Sequence, residues 1–125
     1  MLDHIGFAVA DYTRSKAFYE KTLAPLGFTL LMEFSKTAAG FGEDDGGRPS
    51  FFLEAYGEPV RGRLHIALKA ESRTQVDAFH AAAIEAGATD NGAPGVRTVY
   101  HPDYYGGCVL DPDGNNIEAV CHQPS

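Results

Sequence analysis

The 125-residue sequence has no tryptophan, only two cysteines, and fewer basic than acidic residues, 10 Lys+Arg against 17 Asp+Glu. Each shortage excludes something. A net charge of −7 with no cluster of Lys or Arg lacks the electrostatic footprint that nucleic acid or an anionic membrane surface requires. Cys108 and Cys121 are not in a CxxC spacing, so a disulfide scaffold is not indicated. Both lie in strand-like apolar stretches and read as buried structural thiols. No apolar run is long enough to span a bilayer. Met1-Leu2-Asp3-His4 lacks the basic segment and apolar core of a secretory signal, so a reducing cytoplasm is the expected compartment. At 44% hydrophobic and 22% charged residues, the composition is that of an ordinary soluble globular protein, sized for one domain or two joined half-domains.

What the sequence does have is a repeat. Residues 4–19 read HIGFAVADYTRSKAFY and residues 65–80 read HIALKAESRTQVDAFH. At a constant offset His4 meets His65, Ile5 meets Ile66, Thr13 meets Thr74, Ala17 meets Ala78 and Phe18 meets Phe79. Each copy closes on an apolar–Glu–Ala step, Leu53-Glu54-Ala55 and Ile117-Glu118-Ala119, which pairs Glu54 with Glu118. A duplicated chain folds into two similar modules, and groups at matching positions converge near the axis that relates them. Two histidines and two carboxylates so placed are the donor set of a divalent metal site.

The pattern predicts βαβββ twice, an α+β fold. Leu2–Ala10 alternates as a strand, with Ile5, Phe7 and Val9 toward helices and His4, Gly6 and Ala8 on the other face. Thr13 is placed to cap a helix reaching about Leu23, with Ala17, Phe18, Leu23 and Leu26 at helical spacing and Pro25 and Gly27 as the stop. Strands follow at Phe28–Phe34, Ala38–Gly42 and Ser50–Tyr56, the last with Phe52, Glu54 and Tyr56 on one face. GEPVRGR, residues 57–63, reads as a linker between modules 1–56 and 64–122 of a single domain, with Arg61 and Arg63 solvated. The second copy has a strand at Leu64–Ala70 and a helix from Glu71 to Ala86 that places Val76, Phe79 and Ala83 on one face. A Gly/Pro-rich stretch follows, holding one short strand near Val96–Tyr100. A hairpin then joins Tyr105–Leu110 and Asn116–Cys121 through Asp111-Pro112-Asp113-Gly114-Asn115.

That hairpin, LDPDGNNIEAV, together with the DHI and LHI strands, resembles the vicinal oxygen chelate superfamily, which includes glyoxalase I, extradiol dioxygenases, and fosfomycin- and bleomycin-resistance proteins. The resemblance covers essentially the whole chain as two βαβββ modules. It implies curved mixed sheets around a cup-shaped site and bidentate chelation of a small-molecule substrate through adjacent oxygens. It also implies a divalent metal ion (Zn, Ni, Mn or Fe) and chains that associate as a homodimer to complete the cups. His4, His65 and Glu118 match ligand positions of the family. Glu54 stands where glyoxalase I carries a further carboxylate, and three readings are open for it: fourth ligand, general base, or strand-end glutamate in solvent.

Around these, His101, Tyr104 and Tyr105 concentrate proton-transfer and hydrogen-bonding groups just before a cup-lining strand. Extradiol dioxygenases use a His and a Tyr near this part of the fold, and aromatic packing of a long loop is the competing reading. Arg97 can hold an anionic substrate through its planar fork, and Phe52 lines the same face as Glu54. His80 reads as structural, and His122 has no assigned role. The implied function is a metal-dependent lyase or isomerase of glyoxalase type, with Glu54, His101 and Tyr104 as catalytic groups and Tyr105, Arg97 and Phe52 at the substrate. Ala8 occupies the position of the arginine that holds the glutathione carboxylate in glyoxalase I, so a strict glutathione-adduct enzyme is not expected. The alternatives are an extradiol-type dioxygenase and a metal-free drug-binding resistance protein.

Overall fold

The computed structural model describes residues 1–62 and 64–124. Arg63, read above as a solvated linker residue, lies outside the described residues. The described residues form two mixed sheets, two α-helices and a single 3-10 turn (Ala24–Leu26), in two βαβββ modules. In the first, β1 (Ile5–Ala8), α1 (Tyr12–Leu23), β2 (Phe28–Ser35), β3 (Ala38–Glu43) and β4 (Phe51–Glu54) give the strand order β1-β4-β3-β2. In the second, β5 (His65–Lys69), α2 (Arg73–Glu85), β8 (Tyr105–Leu110) and β9 (Asn116–Cys121) repeat that order as β5-β9-β8. The outer strand of the second sheet is split into β6 (Thr89–Asp90) and β7 (Gly95–Val96), both antiparallel to β8. The single strand expected at Val96–Tyr100 is therefore shorter and earlier. Tyr100 N–H bonds back to Arg97 O at 3.0 Å, which turns the chain after β7.

Helix α1 is capped two residues before the expected position. Asp11, in extended conformation, accepts from Arg14 N–H at 3.0 Å. A carboxylate is as good a cap as a threonine hydroxyl, and it also meets the positive end of the helix dipole. The buried stripe of α1 is Ser15, Phe18, Tyr19, Thr22 and Leu23, while Ala17 faces solvent. Helix α2 buries Val76, Phe79 and Ala83 as its spacing predicts, and Ser72 caps it through Gln75 N–H at 3.1 Å.

One continuous core holds both modules. It joins Phe7, Val9, Phe51 and Leu53 of the first sheet to Phe18, Tyr19 and Leu23 of α1. It continues through Val76, Phe79 and Ala83 of α2 to Ile66, Val109, Ile117 and Ala119 of the second sheet. The helices pack on each other, α1 against α2, and cover the inner faces of both sheets. The opposite, open faces carry His4, Gly6, Ala8, Phe52 and Glu54 in module 1, and His65, Ala67, Gly106, Cys108 and Glu118 in module 2.

The Asp111–Asn115 turn locks this arrangement. The buried Asp111 carboxylate accepts from Tyr19 Oη at 2.5 Å, Asn115 N at 2.8 Å, Asp113 N at 2.9 Å and Asn115 Nδ2 at 3.1 Å. Asp113 then accepts from Ala10 N at 3.1 Å and from an Arg14 guanidinium N–H at 3.0 Å. Gly114 takes φ 87°, which a side chain would resist. Tyr19→Phe removes a charge-assisted bond from a buried carboxylate and is expected to cost about 1.5–3 kcal/mol of stability. Urea denaturation reads this directly, and an unchanged midpoint would contradict the role given to Asp111.

Candidate functional site

The open face of module 2 holds the most developed polar constellation. Glu118 is on the central strand β9, yet its side chain is only 6% exposed, and its two oxygens are engaged separately. Oε1 accepts from His65 Nε2 at 2.8 Å, and Oε2 accepts from Tyr104 Oη at 2.5 Å. The sheet makes room for this carboxylate with small neighbours. Ala67 lies beside it on β5 and Cys108 beside it on β8. A Cβ on Gly106 would come within 2.7 Å of Oε2. His65 is half-exposed, so one side of the pair remains open to a ligand.

Two of these neighbours are shifted electrostatically. Burial, and after it the bond to Glu118 and the carboxylate's charge, hold the Tyr104 phenol far above its ordinary value, so it stays a donor. Burial first, then the Glu118 charge, push the Cys108 thiol up to about 11. Cys108 thus belongs to the open face beside Glu118 and not to the core, where sequence alone would put it. Cys121 is buried as expected.

Module 1 presents a different surface. His4 bonds the Asp3 carboxylate through Nδ1 at 2.6 Å and meets the Phe52 ring edge-on, with centroids 5.3 Å apart. Phe52 in turn stacks near Phe34 at 5.4 Å. A cavity of about 230 Å³ lies here, lined by Phe34, Ala38, Phe52, Leu53, Glu54 and Tyr56.

The strand register corrects the pairing of Glu54 with Glu118. In module 2, Glu118 lies opposite Ala67, two residues after His65. Two residues after His4 is Gly6, and it lies opposite Phe52. Glu54 lies opposite Ala8, and Val9 N–H bonds to Glu54 O just as Ala70 N–H bonds to Val120 O. The repeat partner of Glu118 is therefore Phe52. Glu54 is two residues further along its strand, about 6.6 Å from that position. The shared apolar–Glu–Ala step thus stands at different registers in β4 and β9, and the tripeptide alone does not reveal it.

The remaining expected site residues divide between faces. Tyr105 precedes Gly106 and so has opposite parity. Its hydroxyl donates to Asp77 at 2.5 Å and Arg73 lies over its ring, on the helix side of the sheet away from Glu118. His101 accepts from Asp103 N–H in a turn, and its ring lies 6.1 Å from that of His122, which also meets Tyr104 at 5.3 Å. His80 bonds Asp90 at 2.9 Å, a structural tie between α2 and β6. Sequence reasoning missed Gly106 and Cys108. The alternation of β8 against β9 carries that information only once the register is known.

Among the described residues, no three of His, Cys, Asp and Glu form a group able to hold a metal ion within one chain. The reason is architectural: His4 and His65 are on open faces that the shared core separates. The His65–Glu118 pair nevertheless suits a divalent ion. An imidazole nitrogen and a carboxylate oxygen are the right donors, and 2.8 Å is close to the separation of two ligands about 2.0–2.2 Å from one metal on adjacent corners.

The Cys108 environment can be tested chemically. At pH 8 a thiol titrating near 11 carries about a hundredfold less thiolate than one near 9. Iodoacetamide is therefore expected to label Cys108 far more slowly than a free peptide thiol. Glu118→Gln is expected to quicken labelling, because it removes the charge while leaving the burial. A rate indifferent to that substitution would contradict the placement of the thiol beside Glu118.

Comparison with known proteins agrees with this architecture. A solved glyoxalase/bleomycin resistance protein from Albidiferax ferrireducens T118 superimposes with TM-score 0.80 at 30% identity, covering 97% of this chain and 98% of that one. A glyoxalase/bleomycin resistance protein/dioxygenase family enzyme from Burkholderia phytofirmans PsJN gives TM-score 0.73 at 22% identity, covering 97% and 98%. Lactoylglutathione lyase from Agrobacterium tumefaciens gives 0.68 at 16% identity, covering 97% and 92%, a likeness of fold alone. The sequence matches none of the curated proteins. Residues 1–119 match the family described as the Glyoxalase/Bleomycin resistance protein/Dioxygenase superfamily, and the chain belongs to that superfamily.

Proposed function

We propose that the protein is a metal-dependent lyase or isomerase acting on a small molecule chelated through adjacent oxygens, at a site made between two copies of the chain. The observation that carries this reading is the buried Glu118 carboxylate held against His65 on an open sheet face. His65 and Glu118 of one copy and His4 of the second would hold the metal. A bound divalent ion would polarise the two substrate oxygens and stabilise the negative charge left when a proton departs.

The chain's own residues supply the rest. Tyr104 holds one Glu118 oxygen and leaves the other turned to His65. Phe52, in the repeat position of Glu118, replaces a fourth ligand with an apolar wall beside His4. Glu54 is on that same face beside the Tyr56 phenol, which burial first and then the Glu54 charge raise above its ordinary value. Displaced from the ligand position but still lining the cavity, it is suited to take a proton from substrate rather than to bind metal.

The association of copies rests on the open faces themselves. Phe34, Met32 and Tyr56 of module 1 and Tyr100 of module 2, which packs on Tyr104, are exposed large apolar side chains. A second copy laid across these faces covers them and brings a His4 face to a His65 face.

A second reading, an extradiol-type dioxygenase, is favoured by one observation. With Phe52 in place of a carboxylate, His4, His65 and Glu118 make a three-ligand set that leaves room for both substrate and oxygen at Fe(II). Oxygen uptake with Fe(II) and a catechol supports that reading. Exchange of a substrate C–H with deuterated solvent, without oxygen consumption, supports the first.

Two outcomes test the site. His4→Ala and His65→Ala proteins are each expected to lose stoichiometric zinc binding. Mixed and allowed to exchange subunits, they are expected to recover about one quarter of wild-type sites, because half the dimers are mixed and each has one intact site. A site contained in one chain recovers nothing. Glu54→Gln is expected to keep zinc affinity within about twofold of wild type while lowering turnover at least about a hundredfold; loss of zinc binding would restore Glu54 as a ligand.

A further inference from the structure

Arg97 is on the open face of module 2, one residue beyond β7, and its guanidinium rests against the two glycines that flank Ala93-Pro94, Gly92 and Gly95. A Cβ at Gly95 would come within 2.9 Å of one terminal nitrogen, Nη1. At Gly92, which takes φ +137°, it would come within 3.4 Å of the other, Nη2. Nη2 also donates to Ala93 O at 2.7 Å, which fixes the plane of the fork. Among the described residues no ion pair engages Arg97. The Cβ of Cys108 approaches the same Gly92 position at 3.7 Å, and Cys108 is the cross-strand neighbour of Glu118. The glycines thus seat a fixed cation two strands from the His65–Glu118 pair, about 10 Å across the sheet.

A guanidinium left without a carboxylate, and held by a single backbone carbonyl, keeps most of its donors for another partner. Its planar fork matches a carboxylate through two parallel bonds. The polar side of the same face adds amides. Asn91, at the start of the β6–β7 turn, donates to Asn116 at 3.2 Å, and both line a cavity of about 430 Å³ that reaches His65.

From this seat we infer that the substrate carries a carboxylate, which Arg97 binds at a distance from the His65–Glu118 pair, and that Gly92 and Gly95 determine this specificity by placing the guanidinium. The inference rests on the small-molecule reading of the open face, but not on metal occupancy. The substrate is then an extended organic acid, with its reacting oxygens at one end and its anionic group at the other.

The test uses full-length, metal-free protein with phenylacetate and its neutral analogue phenylacetamide as probes, followed through the Arg97 Nε–Hε resonance. Phenylacetate is expected to shift that resonance and to bind at least about tenfold more tightly than the amide. Arg97→Gln abolishes the discrimination. Gly95→Ala, which keeps the arginine but displaces its nitrogen, reduces it. Equal binding of the two probes, or discrimination that survives Arg97→Gln, overturns the proposal. Zinc titration of the same variants separates the two readings: unchanged zinc binding with lost discrimination supports the arginine seat, whereas zinc binding lost in the wild type refutes the metal site alone.

Discussion

The buried Asp111 carboxylate is the interaction on which the rest of the molecule depends. Three of the four bonds it accepts order its own hairpin, in the second module, and the fourth, from Tyr19 of the first, fixes one module against the other. Asp113 extends the clamp to the end of β1 and the first turn of α1. With the hairpin docked there, both helices are held between the sheets, and the histidine-bearing faces must look outward. A charged group buried without partners would be strongly unfavourable. Here every bond it accepts is also a positional constraint, and the DPDGN sequence serves the assembly of modules more directly than the chemistry of the site.

That constraint explains why a chain with matched histidines does not bring them together. Duplication supplies two equivalent sheets, but packing them through helices on one core leaves their open faces apart. Each chain therefore offers one face of each kind, a His4 face and a His65 face. The same geometry leaves aromatic residues of β2 and of the segments after β4 and β7 exposed.

Much of the fold was legible in the sequence because it depends on local pattern. The alternation of Ile5, Phe7 and Val9, the helical spacing of Val76, Phe79 and Ala83, and the turn chemistry around Gly114 each report a local period, and each is found as expected. The His65–Glu118 contact was legible in part, from the repeat and the hairpin. What the sequence concealed was register. Glu54 and Phe52 are on the same face, so parity cannot choose between them, and only the hydrogen bonds of β1 to β4 show which one stands opposite Gly6. Tyr105 fails for the complementary reason. One residue separates it from Gly106, and that single step sends its ring to the helix side. Asp11 and Thr13 compete for the same helix start, and the carboxylate wins because the helix begins where β1 ends.

Phe52 and Glu118 show how the two halves of a duplicated chain can divide a task. At one repeat position the second module carries a buried anion with an imidazole and a phenol bonded to it. The first carries an aromatic ring against its own histidine and a second phenylalanine. A carboxylate at both positions would place two like charges around a single ion and demand that both be neutralised there. A ring at one of them removes one of those charges and puts an apolar surface beside His4 in its place. The same register sets Glu54 two residues further along β4, opposite Ala8, on the face that carries Phe52 and His4.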